Sequence, residues 1–298
     1  MRPVSPSDNG PSSLRRLRAG GLALAAILVA AVLVPAALAR GGSTLTEVKE
    51  QQQVPWPNPK VITAVCPGKQ YVNFGGFKTN GVVPIGTGPT PWIDALSPAG
   101  KNRDRWQVKV HNDTAAYEAK VTSLGYCSKD AKPTIVKTTK TIGGSKLNGL
   151  VQVACPKKTI LIGGGWSSNA DHTTNGEVLP RTLARSGDAQ ALDLLIANEK
   201  EADVKVTAIA VCGKGKAPKA YVQAGKVRAH KRKTLEADCP KKKEVVFGGF
   251  SLEYSVVEGT YANPYAFWRP GSKVSLTVGG IGTISTDEAD FSVIAYCS

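Results

Sequence analysis

Three stretches decide how this chain folds: CPGKQYVNFGGF from Cys66, CPKKTILIGGGW from Cys155 and CPKKKEVVFGGF from Cys239. They align without a gap. Each runs from Cys-Pro through a basic or turn-forming pair and an apolar stretch to Gly-Gly and an aromatic, which is Phe77, Trp166 or Phe250. Each is closed by a second cysteine after a β-rich run: VTSLGYCS at Cys127, VTAIAVCG at Cys212 and FSVIAYCS at Cys297. A period of this kind means that one supersecondary unit is used three times, so it takes precedence over assigning single elements.

Working outward, KVITAV, LVQVA, KVSLTV and VKVTAIAV alternate apolar and polar residues, as half-buried strands do, and Gly, Pro, Asn and Asp punctuate the gaps. The Gly-Gly pairs mark a bulge or a close backbone approach, with Phe77, Trp166 and Phe250 turned into the core. QALDLLIANE from Gln190 is the one stretch with helical character, although its counterparts in the other copies read as strands. Stretches before the second and third Cys-Pro read as hairpins leading into it. The expectation is an all-β chain of three tandem antiparallel repeats, over 61–128, 129–213 and 214–298, with 40–60 as an extended stalk. The repeats either form a pseudo-threefold β-prism with a shared core or stand as three small β-domains in a row; short, strand-forming linkers favour the prism.

The chain has 298 residues, 38 Lys+Arg against 23 Asp+Glu, and 6% aromatics, a composition that excludes collagen-like, coiled-coil and wholly disordered classes. Arg15, Arg16 and Arg18 precede an uncharged run from Gly20 to Ala39 that ends in Ala-Leu-Ala after Pro35. This reads as a signal peptide over 1–39, cut after Ala39, on a secreted protein. The alternative is an uncleaved membrane anchor over 20–39, since about 20 apolar residues also span a bilayer. Removing 1–39 takes away four Arg and one Asp, so the net charge falls from +15 to +12 and the excess belongs to the exported part.

Six cysteines, two per repeat, in an exported chain read as a disulfide framework. Two connectivities respect the repeat. One pairs Cys66 with Cys127, Cys155 with Cys212 and Cys239 with Cys297; the other links Cys127 to Cys155 and Cys212 to Cys239, leaving Cys66 for Cys297. The first is favoured because each unit then closes by itself. No Cys-x-x-Cys cluster points to zinc, and no metal or cofactor is expected.

At these positions the units resemble a repeat of exported bacterial proteins that reads Cys-Pro-x-Gly, then Gly-Gly-Gly, a Trp-led strand and a closing Cys. Trp106 followed by QVKVHN fits it in the first unit; Leu192 stands where that Trp would lie in the second, and the third departs after Trp268. The resemblance covers most of 61–298 and implies fold and compartment, with no activity to carry over. The threefold organisation is similar in architecture to the β-prisms of vitelline outer-layer proteins and some lectins, and fold does not fix function.

No acid, base or nucleophile recurs at matched positions. His111, His172 and His230 each lie in a different context, and Asp171-His172 is the most suggestive pair for an extracellular hydrolase. Gly163-Gly164-Gly165 lacks the strand-to-helix context of a phosphate or nucleophile loop. Basic runs are more informative: Lys231, Arg232 and Lys233, with Lys241, Lys242 and Lys243, are candidate contacts for an anionic polymer. Tyr261, Tyr265 and Trp268 are candidate stacking platforms for a glycan. The expected function is non-enzymatic binding or surface interaction at the cell envelope, with no specific nucleic-acid partner; a purely structural envelope role is the remaining option.

Overall fold

The computed structural model describes residues 45–55, 57–79, 91–112, 119–170, 177–187, 190–255, 260–281 and 287–298. Alternating apolar residues form strands throughout. The first repeat comprises β1 (Thr46–Val54), β2 (Lys60–Val65), β3 (Tyr71–Thr79), β4 (Pro91–Ala99), β5 (Arg105–Asn112) and β6 (Ala119–Ser128). The second comprises β7 (Thr134–Ile142), β8 (Lys146–Ala154), β9 (Ile160–Ser168), β10 (Val178–Arg185), β11 (Ala191–Asn198) and β12 (Val204–Gly213). The third comprises β13 (Lys219–Arg228), β14 (Arg232–Asp238), β15 (Val245–Leu252), the two-residue β16 (Tyr254–Ser255), β17 (Thr260–Trp268), β18 (Lys273–Ile281) and β19 (Glu288–Cys297).

One open reading is settled and one expectation is corrected. QALDLLIANE is strand β11: Leu192, Leu194 and Ile196 are buried while Asp193 and Leu195 are half-exposed, a two-residue period. Residues 46–54 are not a stalk but β1, paired along its whole length with β6 from Thr46↔Cys127 to Val54↔Ala119. Its polar sequence hid it because β1 is a sheet edge and buries only one side, so few of its residues need to be apolar.

The sheets have the orders β1-β6-β3-β17-β18-β14, β2-β5-β4-β9-β12-β7 and β13-β19-β15-β10-β11-β8, with β16 added to β17 in the first. All ladders between these strands are antiparallel. Each repeat is therefore divided: its first, sixth and third strands make half of one sheet, and its fourth, fifth and second strands half of another. The sheet partners are the first and third repeats, the first and second, and the second and third. This cyclic sharing makes a pseudo-threefold prism, and it excludes three independent domains because no repeat owns a whole sheet.

The Gly-Gly pairs make the sharing possible. At each seam the third strand of one repeat meets the fourth strand of another through two residue pairs: Phe77 and Lys78 with Phe267 and Ala266, Trp166 and Ser167 with Leu96 and Ala95, Phe250 and Ser251 with Leu183 and Thr182. A Cβ on the second glycine, Gly76, Gly165 or Gly249, would run into the carbonyl of Phe267, Leu96 or Leu183 across that seam. A Cβ on the first would meet the Trp106 ring at Gly75, Leu192 at 2.8 Å at Gly164 and Val274 at 2.7 Å at Gly248. The motif thus admits a neighbouring backbone on one side and a fifth-strand side chain on the other.

Phe77, Trp166 and Phe250 are buried in one core continuous through all three repeats. Phe74 stacks on Tyr126 at 4.6 Å and Phe247 on Tyr296 at 4.1 Å. At these two places the Arg269 and Arg185 N–H groups donate to the Tyr126 and Tyr296 hydroxyls, at 2.6 and 2.8 Å. At the third place Gly163 and Val211 stand instead, and Gly163 lies close against the carbonyl of Asn73. The disulfides are Cys66–Cys127, Cys155–Cys212 and Cys239–Cys297, the within-repeat pairing, and no described cysteine is free. Such bridges are typical of extracellular proteins.

Candidate functional site

Strand directions give the prism two unlike ends. At one, each second strand turns through Cys-Pro into the third. Proline suits this corner because its fixed φ sets the turn and the missing N–H is not needed there. The Pro67, Pro156 and Pro240 carbonyls accept N–H bonds from Gln70, Thr159 and Lys243, at 3.2, 3.1 and 2.9 Å. The Cys66, Cys155 and Cys239 N–H groups donate to the Asp104, Gln190 and Ser272 carbonyls, at 2.7, 2.7 and 3.0 Å, which ties each corner to the turn between its fourth and fifth strands. The disulfide pins the same corner to the sixth strand.

Among the described residues the connections at this end, 66–70, 100–104, 129–133, 155–159, 186–187, 190, 214–218, 239–244 and 269–272, hold thirteen Lys and Arg against three Asp and Glu. Lys69, Lys157, Lys158, Lys241, Lys242 and Lys243 project from the three corners and are exposed, as are Lys214 and Lys216 on the linker to the third repeat. None of these eight forms an ion pair among the described residues. Arg103, Lys158 and Lys242 adopt left-handed backbone, with φ of 58°, 68° and 67°. That region costs a residue with a Cβ about 1–2 kcal/mol and favours glycine. Three basic side chains are thus kept at this end where a glycine fits the backbone better, and strain of this kind concentrates at functional sites.

The opposite end has the reverse sign. Among the described residues its connections, 55, 57–59, 143–145, 169–170, 177, 199–203, 229–231, 253–255 and 287, hold six Asp and Glu against two Lys. Here the threefold equivalence also breaks down. The bulges of the fourth strands leave one extra residue each, Asp94, Arg181 and Tyr265, all buried. The Asp94 carboxylate lies 2.9 Å from His111 Nδ1, and Glu177 lies 3.8 Å from Nε2. Arg181 Nε donates to the Leu252 carbonyl at 3.0 Å. Burial pushes the Glu199 carboxyl above its usual range, and the nearby Arg181 guanidinium only partly opposes this. These groups brace strands of different repeats at the strand ends, and no spacing rule in the sequence links Asp94 to Glu177.

The six predicted basic contacts are not one patch. Lys231, Arg232 and Lys233 lie at the start of β14 and Lys241–Lys243 beyond its end, so the seven-residue strand separates them by roughly 20 Å. Only Lys241–Lys243 belong to the basic end, where they join Lys157, Lys158 and Lys69. The repeated signal was present in the sequence as CPGK, CPKK and CPKKK. Two glycan platforms are also corrected. Tyr265 is buried under the Arg232 guanidinium, 4.3 Å from its ring centre, and half-buried Trp268 is covered by the Lys78 ammonium at 4.5 Å. The Tyr261 side chain, Asp171 and His172 lie outside the described residues. No protein-family model matches the chain, and no curated protein matches it either.

Proposed function

We propose that this is an exported, non-enzymatic binding protein that uses the basic end of its prism to hold anionic polymers at the cell envelope. Export is supported by the leader-like residues 1–39 together with three disulfides, each closing one repeat. The observation that carries the binding function is the concentration of exposed lysines from all three corners at one end, two of them, Lys158 and Lys242, in strained backbone. A cluster whose lysines form no ion pair among the described residues keeps its field available to a ligand and gives binding that weakens as salt rises.

Retention on immobilised heparin and polyphosphate tests this. Replacing Lys157, Lys158, Lys241, Lys242 and Lys243 with Gln should shift elution to much lower salt. Replacing Lys231, Arg232 and Lys233 at the other end should shift it little. Equal shifts for the two variants would refute a site at the basic end.

A further inference from the structure

Resting on that reading of the basic end as a polyanion-binding surface, we infer that the same end also docks on an anionic lipid surface, on which the prism stands end-on. Three observations suit this end to an extended surface as well as to a polymer. First, the basic residues are spread over the three corners of the prism and the linkers between repeats rather than along one groove. A shallow depression among the described residues is lined by Glu47, Lys49, Gln51 and Lys78, on the flank of the first sheet. Second, eleven of the thirteen basic residues at this end are Lys. A lysine is a mobile point charge suited to a diffuse layer of headgroup phosphates, whereas bidentate recognition of one phosphate favours Arg.

Third, the chain enters the prism at this end. β1 starts at Thr46, opposite the disulfide-bonded Cys127. The uncharged run Gly20–Ala39 ends only six residues before Leu45. Six residues reach at most about 20 Å. A chain released after Ala39 would keep the same basic end for reversible adsorption. With the basic end on the lipid, the acidic end and its non-equivalent bulge residues point away from it.

The test uses the full chain with vesicles of phosphatidylcholine alone and of phosphatidylcholine with phosphatidylglycerol, because insertion of an apolar leader occurs in both and only the difference reports the basic end. Lysine acetylation read by mass spectrometry should show Lys157, Lys158, Lys241, Lys242 and Lys243 protected on the phosphatidylglycerol vesicles, with Lys146 and Lys231 still reactive. Each of those five lysines changed to Gln should lower the phosphatidylglycerol-dependent affinity about fivefold, the equivalent of about 1 kcal/mol per charge near a lipid surface. Protection of Lys146 and Lys231 instead, or uniform protection, overturns the end-on inference. Binding of soluble polyphosphate without any phosphatidylglycerol dependence overturns the lipid partner and leaves the proposed function standing. Binding of neither overturns both.

Discussion

Replacing Gly165 with alanine should separate two strands that the whole architecture depends on. The β9–β4 seam consists of two residue pairs, and Trp166 and Leu96, one of those pairs, are both buried in the core. An added Cβ runs into the Leu96 carbonyl, which is backbone and has no rotamer to escape into. At Gly249 the same substitution leaves 2.6 Å to the Leu183 carbonyl, so reaching the 3.4 Å of ordinary contact needs a shift of about 0.8 Å. The clearances at Gly76 and Gly165 are smaller still. Overpacking costs about 1–3 kcal/mol, and losing the seam hydrogen bonds adds about 1 kcal/mol each. Gly165→Ala should therefore lose about 3–5 kcal/mol, and Gly249→Ala about 1–3 kcal/mol. Gly187, with nothing within 4 Å of an added Cβ, is the control and should change little. Urea unfolding under non-reducing conditions, followed by the fluorescence of buried tryptophans such as Trp166, gives the values. A loss below about 1 kcal/mol for Gly165→Ala would refute the seam as the reason for the Gly-Gly motif.

Replacing Cys155 and Cys212 together with Ser opens a loop of sequence separation 57 and should cost about 4 kcal/mol by the chain-entropy relation, read as a lower urea midpoint. Burial holds both the Tyr126 and Tyr296 hydroxyls above their usual range. The unfolded chain then releases these protons first, so their contribution is intact below pH about 10 and stability falls above it by about 1.4 kcal/mol per pH unit for each. Tyr126→Phe should halve that alkaline slope, and an unchanged slope would contradict the assignment. Lys158→Gly and Lys242→Gly relieve left-handed backbone and should each raise stability by about 0.5–1 kcal/mol while weakening retention on polyphosphate; loss of stability in both would count against strain kept for charge.

The sequence by itself determined the repeat, most of the strands and the core aromatics, and it favoured the observed disulfide pairing of the two it left open. These are legible because they are periodic: apolar alternation, Cys-Pro and Gly-Gly-aromatic recur in phase, and each bridge joins residues within one copy. β1 escaped because an edge strand such as TEVKEQQQV needs little apolar surface. Only the tertiary structure decided that every sheet is shared by two repeats, since the seams pair strands far apart in the chain and no local pattern encodes a partner. It also decided the site. Lys231–Lys233 and Lys241–Lys243 are neighbours in sequence, yet a single strand carries them to opposite ends of the prism, whereas Lys158 and Lys242, far apart in sequence, come to the same end. Net charge is a sum over residues and carries no position; folding antiparallel strands sorts their connections into two sets, and that sorting separates a basic end from an acidic one.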